Sequence, residues 1–270
     1  MRPFLKWAGG KYRLVERIKT HLPSGTRLLE PFAGSCALSL NTDYEAYWIN
    51  DVNTDLINLY QTLQREGVAF IEFCSRFFTP ETNTPQKYYE FREQFNRETD
   101  IYYKSALFVY LNRHGYNGLA RYNAAGEFNV PFGRYLKPYF PEKEMRFFLA
   151  KFKDAQFTSM DFEVVIDQAR PGDLIYCDPP YEPLSATSNF TSYSAGGFDQ
   201  TQQERLAQAA LRAAVRGIPV LISNHRTDFI MDIYQKARIE TFPVRRSISC
   251  DGANRNQVEE ILALFKLGRF

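Results

Sequence analysis

Arg27-Leu28-Leu29-Glu30-Pro31-Phe32-Ala33-Gly34-Ser35, followed shortly by Tyr47-Trp48-Ile49-Asn50-Asp51, is the stretch that decides the fold. Each apolar run is short enough for a strand, and each ends in an acid or a Gly-containing turn. The pattern predicts a strand at 27–30, a helix from the turn to about residue 40, a strand at 47–50 and a helix over 55–65. Strand, turn, helix, strand is how a doubly wound α/β sheet begins. Upstream, a short helix is expected over 11–21, ended by Pro23-Ser24-Gly25.

Downstream the alternation stops. From about residue 67 to 140 the pattern is helical, clearest at 88–96 and 103–114, and 115–134 is rich in Gly and Asn and reads as a hairpin or loop. The α/β rhythm then resumes, with strands expected at 155–157, 174–177, 219–223, 239–244 and 260–265, and helices at 162–169 and 201–216. One sheet interrupted by an inserted, mainly helical module is the expected organisation. No internal repeat or low-complexity segment is seen.

The composition, 44% hydrophobic and 24% charged over 270 residues, is that of a globular chain. A net charge of +2 permits a nucleic-acid partner without demanding one, so any basic surface has to come from local clustering. The apolar stretches fall short of a membrane span, and Met1-Arg2-Pro3-Phe4-Leu5-Lys6-Trp7 lacks the apolar core of a signal peptide. Four scattered cysteines without a C-x-x-C pair, and three histidines, argue against a zinc site or a disulfide framework. A reducing cytoplasm is the expected setting.

Leu174-Ile175-Tyr176-Cys177 reads as a buried strand running into Asp178-Pro179-Pro180-Tyr181, and then into a loop rich in Ser, Thr and Asn. The carboxyl end of a strand is where open α/β sheets bind ligands. Two prolines fix φ and remove donors, so the turn is stiff and offers its carbonyls as acceptors. A carboxylate and a prolyl carbonyl beside a flat ring suit a planar group bearing an NH2, the chemistry needed to methylate an exocyclic amine of a base. A cytosine-C5 enzyme would use a nucleophilic Cys after Pro, and the chain has no Pro-Cys pair. Cys177 is therefore read as the end of a buried strand.

Gly34 in the first β–α turn lets backbone N–H groups approach a ligand. Asp51 closes the second strand, where an acid meets ribose hydroxyls in dinucleotide folds. An ordinary tight turn with a solvated Asp would read the same way. Lys6-Trp7-Ala8-Gly9-Gly10-Lys11 is either an anion- or adenine-contacting loop or a frayed terminus with a surface Lys.

Residues 101–140 hold eleven aromatics, five basic residues and one acid, a local charge of +4. Aromatics interleaved with Arg and Lys offer base stacking and phosphate contacts. Tyr103, Phe108 and Tyr110 fall in a helical pattern and read as core, whereas Tyr116-Asn117-Gly118 and Arg121-Tyr122-Asn123 read as an exposed tip.

With these segments in place the chain resembles the Dam-type, or D12 class, DNA adenine-N6 methyltransferases. The resemblance runs almost end to end and in order: K-W-A-G-G-K, E-P-F-A-G-S, W-I-N-D, then L-N-R-H-G-Y-N-G-L-A-R-Y-N and G-E-F-N-V-P-F-G-R-Y in the insert. After these come Y-C-D-P-P-Y, L-S-A-T-S-N-F-T, V-L-I-S-N-H and V-R-R-S-I-S. It implies a Rossmann-like S-adenosylmethionine-dependent methyltransferase sheet over residues 1–54 and 146–270, a discontinuous catalytic domain. Residues 55–145 would form an inserted, mainly helical target-recognition domain carrying a hairpin. The implied reaction moves a methyl group from S-adenosylmethionine to N6 of a flipped adenine in duplex G-A-T-C.

By the same resemblance Trp7, Lys11, Phe32, Gly34, Asp51 and Asp178 hold the cofactor, and Asp178, Pro179, Pro180 and Tyr181 receive the adenine. Lys6, Leu119, Arg121, Pro131 and Tyr135 read the site, Tyr116 and Asn117 insert into the duplex, and Arg134 contacts a phosphate. Double-stranded DNA is the expected partner, with no metal, membrane or obligate protein partner, and a cytoplasmic, nucleoid-associated location. The family's F-x-G-x-G turn here reads Phe32-Ala33-Gly34-Ser35-Cys36, so a cysteine replaces the second glycine and is expected to narrow the cofactor turn. Two rivals stand beside this reading: an enzyme acting on an amine of RNA or of a protein glutamine, and a sheet that binds cofactor or DNA without turnover.

Overall fold

The computed structural model describes residues 1–181, 198–245 and 257–266. Seven strands form one sheet: β1 Arg27–Glu30, β2 Ala46–Asn50, β3 Gln156–Thr158, β4 Asp173–Cys177, β5 Val220–His225, β6 Arg238–Arg245 and β7 Gln257–Phe265. Their spatial order is β3-β2-β1-β4-β5-β7-β6. The first five are parallel, and β7 runs antiparallel between β5 and β6. Strand order reverses between β1 and β4, which opens a crevice at their carboxyl ends. This is a Rossmann-like, doubly wound α/β sheet with an antiparallel edge.

The central strands are covered on both faces, which is why they read as apolar runs without polar alternation. Leu28, Tyr47, Ile49, Leu174, Tyr176 and Leu221 point into one buried cluster, and Leu29, Trp48, Ile175, Cys177, Val220 and Ile222 into the other. The second cluster is closed by α7 (Phe162–Asp167), α8 (Gln200–Val215) and α9 (Asp228–Ile233). Buried alanines at 207, 209, 210, 213 and 214 give α8 a smooth face for close packing. On the helices' outer sides, Arg205 and Arg212 clamp Glu163 at 2.7 Å each, a half-exposed pairing of modest energetic weight.

Residues 11–21 are helical as expected, a 3-10 turn at Lys11–Leu14 running directly into α1 (Val15–His21), but one early expectation is revised. After β1 no α-helix forms, only a 3-10 turn at Ser39–Asn41. The cause is local: Gly34 (φ 47°) and Cys36 (φ 59°) are left-handed, which an α-helix cannot accommodate.

Between β2 and β3 lie α2 (Thr54–Glu66), α3 (Val68–Ser75), α4 (Pro85–Arg97), α5 (Ile101–His114) and α6 (Glu142–Lys151). Asn53 caps α2 by accepting from the Leu56 N–H at 3.0 Å. Gln61 and Gln64 on α2 reach the Phe157 and Ala155 carbonyls at 2.9 Å each, fixing the helix to the sheet edge. The core is continuous across the insert, from Leu28 and Tyr47 through Tyr60 and Phe148 to Phe108 and Phe128. Most of the aromatic surplus at 101–140 is therefore packing, Phe108, Tyr110 and Phe128 being buried. Antiparallel bridges Gly115↔Phe132 and Tyr122↔Phe128 draw 115–132 into an irregular hairpin.

Candidate active site and recognition surface

The turn after β1 is built around Gly34. A Cβ there would meet the Trp7 indole Nε1 at 2.7 Å, so the ring lies on bare backbone. The Gly34 N–H donates to Asp51 Oδ2 at 2.9 Å, the Asn53 N–H donates to Oδ1 at 2.9 Å, and burial raises the Asp51 pKa. Tyr60 donates to the Gly34 carbonyl at 2.6 Å from below. Phe32 stacks on Phe162 at 5.2 Å and meets Phe198 edge-on at 5.5 Å, forming one aromatic wall. Buried Asn50 joins the strand ends, donating to the Pro31 and Met160 carbonyls and accepting from Thr158 and the Met160 N–H.

Asp178 leaves β4 beside this turn. Its Oδ1 pairs with Lys11 Nζ at 3.1 Å and accepts from Ser223 Oγ at 2.9 Å. Lys11 is buried, also donates to the Gly9 carbonyl at 2.8 Å, and holds its ammonium 4.3 Å from the centre of the Tyr181 ring. Tyr181 is fixed again by the edge of His225 at 4.6 Å and by donation to Glu260 at 3.3 Å. Of the two prolyl carbonyls, that of Pro180 is taken by Gln203 Nε2 at 2.9 Å. Asn224 in turn donates to Gln203 Oε1 at 3.0 Å. Asp178 Oδ2 and the Pro179 carbonyl accept nothing from the described residues. Two acceptors were expected from this turn; among the described residues the Pro180 carbonyl has a donor and the Pro179 carbonyl has none.

Glu30 ends β1 next to this acid and is buried. It accepts from the Ser39 N–H at 2.8 Å and from the Ser39 hydroxyl. Burial pushes its carboxyl up to about 7, with the charge of Asp178 acting in the same direction. Cys177 is wholly buried with its thiol pushed well up, the state of an inert core cysteine.

The residues expected to meet DNA lie on the hairpin side. Lys6 stands between the two halves. Its N–H donates to Asn112 Oδ1 at 2.9 Å and its carbonyl accepts from Asn112 Nδ2 at 2.8 Å, while the same Nδ2 reaches the Gly118 carbonyl at 3.1 Å. The Lys6 ammonium lies 4.0 Å from the Tyr135 ring centre, and burial with Arg113 nearby lowers its pKa. The Asn117 N–H donates to the Tyr135 hydroxyl at 3.1 Å. Tyr116, Asn117, Arg121, Pro131 and Arg134 are exposed, and Leu119 and Tyr135 half-buried. Arg121 is held by Asn129, through Oδ1 at 2.8 Å and the backbone carbonyl at 3.2 Å. Tyr122 departs from the expected exposed tip: its hydroxyl donates to Asp55 at 2.9 Å and its ring packs on Phe128, so it anchors the hairpin to α2.

The structure thus brings Trp7, Gly34 and Asp51 together at one strand end, and Lys11, Asp178 and Tyr181 at the next. Phe32 stands in the aromatic wall beside the first of these, Pro179 and Pro180 belong to the second, and Tyr116, Asn117, Leu119, Arg121, Pro131, Arg134 and Tyr135 lie on the hairpin side, where Tyr135 meets Lys6. Ser223, Gln203, Asn224, Glu30, Asn50 and Asn112 were not singled out in the sequence. The signal for Ser223 was available, since Ser223-Asn224-His225 ends the strand beside β4. The buried amides carry no sequence mark, because each acts on backbone atoms distant in the chain. L-S-A-T-S-N-F-T, most of V-R-R-S-I-S, and Cys250 lie outside the described residues. Among the described residues no group of His, Cys, Asp and Glu is placed to hold a metal ion, and no helix is long and apolar enough to cross a membrane.

Comparison with known proteins meets this geometry. The chain is 49% identical over 267 residues to the DNA adenine methylase of Escherichia coli (strain K12), covering 99% of this chain and 96% of that protein. It is 49% identical over 265 residues to the DNA adenine methylase of Vibrio cholerae serotype O1, covering 98% and 96%. With the Serratia marcescens DNA adenine methylase it shares 48% over 266 residues, covering 98% of each. The family described as D12 class N6 adenine-specific DNA methyltransferase matches residues 7–248. The chain belongs to the D12 class of N6 adenine-specific DNA methyltransferases.

Proposed function

We propose that this enzyme moves a methyl group from S-adenosylmethionine to N6 of an adenine flipped out of duplex G-A-T-C. The observation that carries the reading is a pair of acceptors at the end of β4 that no described residue occupies. Asp178 Oδ2 and the Pro179 carbonyl stand ready for the two N6 hydrogens, beside the ring of Tyr181. Accepting both hydrogens draws the N6 lone pair out of the ring and favours a pyramidal nitrogen. Tyr181 stacks on the extruded base and offsets part of the few kcal/mol that flipping costs. As N6 gains positive charge, the Asp178 carboxylate stabilises it in a site of low dielectric.

The chain's residues fit the donor. Bare backbone at Gly34 under the Trp7 indole accepts a flat group, the Asp51 carboxylate suits a ribose diol, and Phe32 supplies an aromatic wall. When bound, the donor supplies an electrophilic sulfonium methyl. Trp7, Lys11, Gly34, Asp51 and Asp178 hold it, and alignment supplies much of the rate.

Residues 55–145 act as the recognition domain inserted in a catalytic domain of 1–54 and 146–270. In this reading Lys6, Leu119, Arg121, Pro131 and Tyr135 read the G-A-T-C bases, Tyr116 and Asn117 enter the duplex, and Arg134 contacts a phosphate. Its support is that Tyr116, Asn117, Arg121 and Arg134 are exposed on the hairpin side, and that Asn117 is bonded to the Tyr135 on which Lys6 rests. Action on nucleoid DNA in the cytoplasm follows from this substrate. Asp178→Ala is expected to abolish labelling of G-A-T-C duplex by tritiated cofactor, and retained turnover would overturn the reading. In a host lacking the activity, expression should protect DNA from a methylation-sensitive nuclease that cuts at G-A-T-C. Equal labelling of a scrambled duplex would refute the specificity.

A further inference from the structure

We infer that Ser223 is a positioning residue for methyl transfer, setting the Asp178 carboxylate so that Oδ1 faces the protein and Oδ2 faces the amine. The inference rests on the role given to Asp178 above. It begins with register: β4 and β5 are parallel with Cys177 opposite Ile222, so Asp178, just past the end of β4, lies beside Ser223, which is still within β5. Ser223 is buried, and its hydroxyl lies 2.9 Å from Asp178 Oδ1.

A serine hydroxyl has one proton to give. Tyr176, buried on β4, places its hydroxyl 3.1 Å from Ser223 Oγ. Because a carboxylate only accepts, the Ser223 hydroxyl is the donor to Asp178 Oδ1, and with that bond made the Tyr176 hydroxyl is the donor to Ser223 Oγ. Of the other sites for the Ser223 proton, the Cys177 carbonyl is at 3.5 Å, the limit of a hydrogen bond, and the neutral Tyr176 oxygen at 3.1 Å is a weaker acceptor than the charged carboxylate.

Lys11 also holds Oδ1, but differently. Its ammonium is divided among Asp178, the Gly9 carbonyl and the Tyr181 face, on a flexible four-carbon arm. Ser223 sits one bond from a strand in the middle of the sheet and cannot follow a rotating carboxylate. Without it, Asp178 keeps its charge and its lysine but loses the contact that fixes its plane. The cost should therefore fall on the chemical step and not on binding.

The test is single-turnover methylation of a G-A-T-C duplex by the full chain, with saturating tritiated cofactor, in wild type, S223A, S223T, D178N and S223A/D178N. Expected is a loss of about a hundredfold in rate for S223A, as misplacement of a reacting group brings. Dissociation constants for the duplex and for cofactor, from binding titrations of the same proteins, should stay at wild-type values, which also shows that the variant folds. S223T, which keeps the hydroxyl, should recover most of the rate, and S223A should add nothing to D178N. A wild-type rate in S223A, or a loss that is undiminished in the D178N background, overturns the role of Ser223 alone. A wild-type rate in D178N overturns the reading of Asp178 and Ser223's role with it.

Discussion

The two ends of this molecule are built on opposite plans. At the strand ends the functional groups are buried or nearly so, and each is held by two or more partners: Lys11 by Asp178, Gly9 and Tyr181, and Asp51 by two backbone N–H groups. On the hairpin, Tyr116, Asn117, Arg121, Pro131 and Arg134 are exposed on irregular backbone, with left-handed φ at Asn117 (52°) and Arg134 (55°). In the function proposed above, the difference follows from what each end meets. A reacting centre gains from groups held in place before the substrate arrives. A surface that reads a deformable duplex needs side chains that reach outward and settle on contact. What joins the two plans is one strap, since residues 6–11 carry Lys6 under Tyr135, Trp7 over Gly34 and Lys11 on Asp178.

The sharpest way to separate the two ends is pH, because each hides one titratable group with an opposite demand. Glu30 at the strand ends is raised by burial from 4.5 to about 7. Between those values the unfolded chain has released the proton and the native chain has not, so stability falls as pH rises through that window. His114, which supports the hairpin, is lowered by burial from 6.5 to about 4 while its ring stacks on Tyr110 at 3.9 Å. Below 6.5 the unfolded chain takes up a proton that the native chain refuses, so stability falls as pH drops towards 4. Each effect is worth roughly 3 kcal/mol at full extent. Urea melts of Glu30→Gln should be flatter than wild type between pH 4.5 and 7, and those of His114→Phe flatter between 6.5 and 4. Identical slopes in wild type and variant would show that neither group is masked in this way.

A smaller effect tests the recognition end alone. Arg121 is held by Asn129 through Nε and Nη2, which fixes its plane and leaves Nη1 without a described partner. If it reads a guanine edge, Arg121→Ala should lose about 1–3 kcal/mol of discrimination at one base pair, with little change at sites already mismatched there. Asn129→Ala should cost less, since it removes the support and not the contact. The comparison to make is kcat/KM on G-A-T-C against duplexes substituted at one position. Uniform weakening on every duplex would make Arg121 a phosphate contact instead.

How much of this was legible in the sequence differs between the ends as well. Strands β1, β2, β4 and β5 were readable because a fully covered strand is a short apolar run with a turn behind it, and Asp51 and Asp178 stood out at their ends. The helix expected after Gly34 was not there, because the left-handed conformation of Cys36 cannot be read from a cysteine. In the insert the aromatic count misled in part: Tyr122 looked exposed between Arg121 and Asn123, yet its partner Asp55 lies 67 residues earlier. Periodicity reports which face of an element is apolar. It does not report which buried amide, such as Asn50 or Asn112, ties together segments far apart in the chain.

Cys36 offers the finest test, because here a departure from the family's glycine can be weighed directly. A left-handed φ of 59° disfavours any residue with a Cβ, by about 1–2 kcal/mol. Against that, the side chain is wholly buried in the core cluster and interacts with the Tyr60 hydroxyl, which itself braces Gly34. Cys36→Gly would relieve the backbone but lose the packing of a small apolar side chain, roughly 1 kcal/mol or somewhat more. The two nearly cancel, so the variant should melt within a few degrees of wild type. The thiol faces the core and not the open side of the turn, so the substitution should leave cofactor affinity unchanged, contrary to the narrowing expected from the sequence. A clear gain in affinity would mean that Cys36 does constrict the turn. Unchanged affinity with a small shift in melting would make the cysteine a packing alternative to glycine at a position where backbone and core compete.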